Sequence, residues 1–350
     1  MLQKLLIMLA FISLTLMFSC SDDNPANTPV DNGKSPVINS ILPNSAFIGD
    51  TVTITGTLFG SIPDSGYVVL NGTKIPVANV LLWTDSTITI IIPTGSKSGK
   101  LIVSYSGSQS IGKDMTIKLY MIPRTIGSWW TRYIVDYDAN NNPDISTAHT
   151  DSLILSNLED YEGMYAAKYW MIFGGSHLVS PPFHIEETTI YATKNYINPG
   201  NFSGTNIPDI FTDSWGVIAD ADKTQWDLAD SNITNFPVSM QGIDAKLNGL
   251  YTIKCAKGQS GNVTYGLNNE KSANCDNYQV LYSFDGKATA TILGLPVDIP
   301  LKFTVTRNHY INKDIGMVKI KMDSQTINLA FGQKFTILGF ETRIIDYKIK

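Results

Sequence analysis

Residues 49–56 read GDTVTITG, and TLFG follows at 57–60. Thr51, Thr53 and Thr55 alternate with Val52 and Ile54, so an extended chain here has one apolar and one polar side. Gly49 and Gly56 bracket the run at positions where a left-handed or tightly bent backbone is expected. The same pattern recurs on both sides. Val37–Leu42 is apolar and β-branched and is stopped by Pro43-Asn44. Tyr67–Leu70 leads into Asn71-Gly72, a two-residue hairpin signal. Thr87-Ile88-Thr89-Ile90 alternates again before Pro93, and Leu101-Ile102-Val103 and Met115–Leu119 complete the set. Short strands separated by turn signals at this spacing indicate an antiparallel sandwich.

The residues that carry a family likeness are Pro36, Ile38, Ile41, the loop Pro43–Ser45 and the run Gly49–Gly56. It continues through Phe59-Gly60, Asn71-Gly72, Trp83, Thr87-Ile88, Pro93 and Ser98-Gly99. Over residues 36–119 they resemble an IPT/TIG domain, an immunoglobulin-like module. The resemblance implies a β-sandwich in which Phe59 and Trp83 fill the space between sheets. It also implies a spacer role, since bacterial surface lipoproteins use such modules to hold a distal domain away from the membrane. A fold of this kind carries no chemistry by itself. The segment has no His and no Cys, and Asp50 and Asp85 sit at turns, where local capping accounts for them.

Upstream, residues 1–20 read MLQKLLIMLAFISLTLMFSC, with Lys4 the only charge before an apolar run from Leu5 to Phe18. The run is shorter than the ~20 residues of a membrane span and has the layout of a secretory signal over residues 1–19. Leu16-Met17-Phe18-Ser19-Cys20 resembles a bacterial lipobox, although Phe18 is bulky for its position. That resemblance implies cleavage before Cys20, lipidation of its thiol and retention at a bilayer. Ser21-Asp22-Asp23 is similar to the surface-export signals of Bacteroidota lipoproteins, which implies the outer membrane and its external face. Residues 20–35 are rich in Asn, Asp and Pro and read as a flexible tether.

Downstream, Pro123 blocks strand continuation, so Tyr120-Met121-Ile122-Pro123 marks a join and residues 120–350 form a second, β-rich domain. Strand candidates include Trp129–Tyr137, Asp151–Ser156, Tyr165–Phe173, Thr188–Ala192, Lys287–Leu293, Leu301–Arg307, Gly316–Met322, Gln325–Phe331 and Gly339–Ile349. Gly127-Ser128-Trp129-Trp130, Asp314–Lys319 and Phe340–Lys348 are similar to the first and last strands of lipoprotein-carrier-like half-barrels. That likeness implies a curved antiparallel sheet whose concave face holds an apolar or amphipathic ligand. A second sandwich stays open as the other architecture, and the whole chain reads as all-β.

Composition narrows the functions. With 43% hydrophobic and 16% charged residues the chain is not broadly disordered. A net charge of −5, from 26 basic and 31 acidic residues, argues against a nucleic-acid binder, which needs a concentrated basic face. The four histidines, His149, His177, His184 and His309, form no His-Glu-x-x-His, and no Gly-x-Ser-x-Gly elbow occurs. Gly33-Lys34-Ser35 ends like a phosphate loop but has Thr28 in place of its first Gly. Asp220 and Asp222 begin like a calcium loop, yet Gln225 and Ser231 stand where Gly and Glu are required. No cofactor and no metal are therefore expected. Two carboxylates acting as a hydrolase remain an alternative, because such pairs leave no spacing signature.

Cys255 and Cys275 flank a loop rich in Gly, Asn and Ser, and in an exported protein they are expected to pair. Closing that loop is worth roughly 3 kcal/mol in the chain-entropy account. Among the tryptophans, Trp215 and Trp226 lie in DIFTDSWGVIADADKTQWDLAD (209–230), read as a long loop. They are the candidate sugar-stacking platforms, with Asp220 and Asp222 as partners for sugar hydroxyls. The preferred function is a non-catalytic, lipid-anchored surface protein whose spacer module carries a glycan-binding β domain. Its expected partners are the membrane through Cys20, a polysaccharide or oligosaccharide, and an outer-membrane uptake complex. An envelope structural or protein-interaction role without a small ligand is the other non-catalytic reading.

Overall fold

The computed structural model describes residues 35–60, 66–174, 176–198, 201–202, 205–206, 208–240, 243–329 and 334–350. The expected signal segment 1–19, Cys20 and the tether up to residue 34 lie outside the described residues. The chain is nearly all β, and it divides into two units, Met1–Ile117 and Lys118–Lys350. The join expected at 119–124 lies within two residues of this division. Lys118 pairs with Glu187 at 3.1 Å, and the Met121 N–H donates to the Glu186 carbonyl, so these residues are already tied into the second unit.

The first unit contains β1 (Val37–Leu42), β2 (Ser45–Phe47), β3 (Thr51–Thr57), β4 (Gly66–Leu70), β5 (Thr73–Lys74), β6 (Val80–Trp83), β7 (Thr87–Ile91), β8 (Gly99–Tyr105), β9 (Ser108–Gln109) and β10 (Lys113–Lys118). One sheet runs β1-β3-β7-β6 and the other β2-β10-β8-β4-β5, with β9 paired to β8. Alternation decides what lies between them. Val52 and Ile54 of β3 stand opposite Ile90 and Ile88 of β7, and all four are buried. Val68, Leu70, Leu101, Val103 and Met115 supply the buried face of the second sheet. Phe59 and Trp83 join the same cluster, and the Trp83 indole N–H reaches the Phe59 and Gly60 carbonyls at 3.0 and 3.1 Å. Gly49 has φ +91°, and a Cβ on Gly56 would lie 1.9 Å from the Val37 carbonyl oxygen, so both positions require glycine. Asp50 and Asp85 accept the Phe47 and Gly60 N–H groups as turn caps.

The second unit begins with β11 (Trp129–Tyr137), β12 (Pro143–Tyr161), β13 (Met164–Phe173), β14 (Ser176–Ile185) and β15 (Thr189–Thr193), then a one-turn helix, Lys194–Ile197. There follow β16 (Asn201–Phe202), β17 (Thr205–Asn206), β18 (Trp215–Asp220), β19 (Gln225–Met240), β20 (Ile243–Lys257), β21 (Gly261–Tyr265), β22 (Lys271–Ile292) and β23 (Leu295–Asn312). The last strands are β24 (Gly316–Met322), β25 (Gln325–Asn328), β26 (Lys334–Ile337) and β27 (Phe340–Lys348). One continuous antiparallel sheet runs β18-β15-β14-β13-β12-β11-β27-β24-β23-β22-β20-β19, which is the curved half-barrel rather than a second sandwich. The unit's first and last strands pair at its centre, Trp130 opposite Tyr347, and meanders run outward from them.

Two expectations are corrected here. The stretch 209–230 is not a long loop: β18 and β19 are the two edges of the sheet, joined by a turn at 221–224. Among the described residues these edges share no ladder. The Trp226 indole N–H crosses between them to the Val217 carbonyl at 2.6 Å, and the Lys257 ammonium donates to the Ala221 carbonyl. The sheet thus curls nearly to closure, with Trp226 at the seam. Cys255 and Cys275 do not pair; both are free and buried. Cys255 faces Val280 across the β20–β22 ladder, and Cys275 lies further back on β22 opposite Gly261. At ~3.4 Å per residue that offset is about 17 Å, whereas a disulfide needs Cα atoms within ~7 Å. The loop they flank is held instead by Arg343, whose guanidinium donates to the Gly266 and Leu267 carbonyls at 2.9 and 2.8 Å.

Candidate binding site

Alternation along the central strands turns one set of side chains toward the concave side. There they leave a cavity of about 270 Å³, walled by Trp130, Leu153, Met171, Phe183, Ile320 and Ile344 together with Tyr196 of the short helix. Its aromatic rings form a connected wall. Trp130 lies 6.0 Å from Tyr169, Tyr169 lies 6.3 Å from Phe183, and Phe183 meets Tyr196 edge-on at 5.0 Å. The Trp130 indole N–H is committed to the Ile315 carbonyl at 2.6 Å, which fixes the ring and leaves its apolar surface to the cavity.

Few polar groups face this space. Arg132 is the charged residue of the wall. Two of its nitrogens hold the buried Asp151 carboxylate, Nε at 2.7 Å and Nη2 on the other oxygen, so the pair is neutral as a unit. The hydroxyl of buried Tyr169 has no partner among the described residues, and burial raises its pKa, so it stays a neutral donor. Behind Tyr196 lies a second group of buried polar side chains. The Tyr196 hydroxyl meets His309 Nε2 at 2.9 Å, and His309 Nδ1 lies 3.3 Å from the Tyr278 carbonyl. Burial, and then the adjacent Arg307, lower the His309 pKa to about 3. A neutral ring donating from Nδ1 to the Tyr278 carbonyl must accept at Nε2 from the phenol.

The residues expected to bind sugar are placed differently. Asp220 is 5% exposed; its carboxylate accepts the Asp222 N–H at 3.0 Å and lies 3.3 Å from the Lys223 ammonium. Trp226 is half-buried at the seam, with its indole N–H spent on Val217. Trp215 is half-buried, packs edge-on against the exposed Tyr161 at 5.9 Å and donates to the Tyr161 carbonyl at 3.2 Å. Asp222 is exposed. None of these four lines the cavity. The cavity itself was not anticipated residue by residue. Its walls come from positions 122 to 344, and only the half-barrel likeness pointed to a concave apolar face.

Residues 36–117 match the IPT/TIG domain family. No curated protein sequence matches the chain. Among solved structures, the chain is similar to a candidate lipoprotein from Parabacteroides distasonis at 11% identity and a TM-score of 0.33, over 66% of this chain and 99% of that one. It is similar to an auxiliary nutrient binding protein from Bacteroides ovatus at 8% identity and a TM-score of 0.24, over 91% and 100% of the two chains. A gamma-CGTase from alkalophilic Bacillus clarkii gives 22% identity and a TM-score of 0.21 over 45% and 26%.

Proposed function

We propose that this is a non-catalytic binding protein of the bacterial envelope, anchored through lipid on Cys20. Its IPT/TIG module serves as a spacer, and its half-barrel holds an apolar or amphipathic molecule. The observation that carries the binding step is the wall of the 270 Å³ cavity: aromatic and aliphatic side chains, a self-neutralised ion pair and an unpartnered phenol. Such a wall offers area to bury rather than a pair of groups placed for proton transfer. The test is the neutral fluorophore N-phenyl-1-naphthylamine. The folded protein should raise and blue-shift its emission, and Ile320→Trp, which fills the cavity, should abolish the response. Equal emission with wild type and I320W would overturn the reading.

A second reading keeps the glycan. It is favoured by the Tyr161–Trp215 ring pair, with exposed Asp222 on the turn after β18 as the hydroxyl partner, and with Trp226 and Asp220 as supports. Affinity electrophoresis through polysaccharide gels tests it. Retardation lost in Trp215→Ala supports a surface sugar site, and unretarded wild type across the set rejects it.

A further inference from the structure

Arg307 projects from the inner face of β23 and is 5% exposed, yet among the described residues it pairs with no acid. Among the described residues Arg132, Lys319 and Arg343 of this unit pair with buried carboxylates, and no ion pair joins Arg307. The residues of the second unit outside the described set include no Asp or Glu. Its Nη2 donates to the Tyr196 carbonyl at 3.0 Å, while its Nε–H is buried with no acceptor among the described residues. The guanidinium stacks 4.5 Å from the Tyr196 ring and 5.6 Å from the Tyr282 ring. On β20, Tyr251 stands opposite Phe284, which in turn stands opposite Phe303 of β23; the Tyr251 hydroxyl is likewise buried and unpartnered among the described residues, and Tyr251 is 2% exposed.

An uncompensated buried cation is costly, by several kcal/mol even after relaxation. The carbonyl end of a one-turn helix offsets only part of that, since even a long helix presents about half a charge. The unpartnered Nε–H can only donate, and the Tyr251 hydroxyl can donate as well as accept, so an acceptor with negative charge would satisfy both. Tyr196 links this group to the cavity, because it stacks on Arg307 and also lines the apolar space.

We propose that Arg307 and Tyr251 receive the anionic head, carboxylate or phosphate, of an amphiphile whose apolar part lies along Tyr196 in the cavity. This rests on the reading of the cavity as an apolar binding site and adds the charge of its ligand. The guanidinium, its face stacked on phenol rings, supplies charge-assisted hydrogen bonds from its edge.

The test measures binding to the purified full chain at pH 7.5 by calorimetry. The probes are decanoate, 1-decanol as the uncharged match, and acetate and inorganic phosphate as heads without tails. Decanoate should bind about tenfold or more tighter than decanol, as expected for a charged hydrogen bond in a buried site. Arg307→Met should erase that preference, leave decanol binding as it was, and melt no lower than wild type without ligand. Tyr251→Phe removes one hydroxyl from an otherwise unchanged ring. It should weaken decanoate severalfold and leave decanol unaffected, which keeps the test decisive should R307M fail to fold. Equal affinity of wild type for decanoate and decanol would overturn the anionic head while the cavity reading stood. Failure of both tailed probes would sink the cavity reading as well. Arg307-dependent binding of acetate or phosphate as tight as decanoate would overturn the amphiphile, leaving a site for a small free anion.

Discussion

His309 sits on the inner face of β23 with its ring hydrogen bonds made in the neutral state. Burial, then Arg307, hold its pKa at about 3, whereas in the unfolded chain it titrates near 6.5. Between those values the unfolded chain binds the proton and the folded one does not. The stability this group contributes is therefore complete above about pH 6.5 and declines as the pH falls toward 3. Urea unfolding of the second unit should lose on the order of 1.4 kcal/mol per pH unit across that window from this single proton. His309→Gln should flatten the acid limb, and an unchanged slope would mean that the imidazole is protonated in the fold. The two thiols follow the same physics. Burial raises the Cys255 pKa to about 12 and the Cys275 pKa to about 11, so neither is a thiolate at neutral pH. Both should resist iodoacetamide in the native protein and react in urea, and dithiothreitol should leave the melting temperature unmoved. A melting point lowered by reductant would restore the disulfide.

At the scale of elements, the decisive feature is a seam. β18 and β19 follow each other in sequence and lie at opposite edges of one sheet, and the Trp226 indole spans the gap to the Val217 carbonyl. Trp226→Phe keeps an aromatic ring, though a smaller one, and removes the donor, which leaves the carbonyl without that bond at an expected cost of about 1–2 kcal/mol. Amide hydrogen exchange along β18 should accelerate while the central strands β11 and β27 keep their protection. Uniform exchange in wild type and W226F would show that the seam does not depend on this bond. The same seam explains what the sequence reading missed. Strict alternation made β3 and β7 legible, because two faces of opposite polarity need no knowledge of the partner strand. The stretch 209–230 mixes Asp with Trp and lacks that alternation. A strand at a curled edge, with Asp220 spent on its own turn and Trp226 bridging sideways, carries no period-two signal. β22 and β23 were legible only in fragments, Lys287–Leu293 and Leu301–Arg307, although each is one long strand paired end to end with its neighbours. The cavity was illegible for another reason. Its wall is assembled from strands far apart in sequence, and Arg307, the group that argues for an anion, is in sequence only one basic residue at the end of an apolar run.

For the whole molecule, the two units are built around separate hydrophobic clusters. The first is the aliphatic interior of a sandwich, with Ile54 fully buried at its centre; the second is rich in aromatic residues, with Tyr278, Tyr282 and Phe284 buried against β23. A domain with its own core unfolds cooperatively on its own account, so the intact chain should show two calorimetric transitions. Ile54→Ala should cost about 2–5 kcal/mol and lower only the transition of the first unit. Phe284→Ala should act on the other transition by a similar amount. Decanoate, bound in the half-barrel, should raise the second transition by mass action and leave the first where it is. That pattern ties ligand binding to one unit and leaves the other free to act as a support, which is the division of labour the spacer reading requires. A single transition shifted by both substitutions and by the ligand would instead mean that the units fold as one cooperative body. The IPT/TIG module would then be part of the binding machinery rather than its stalk.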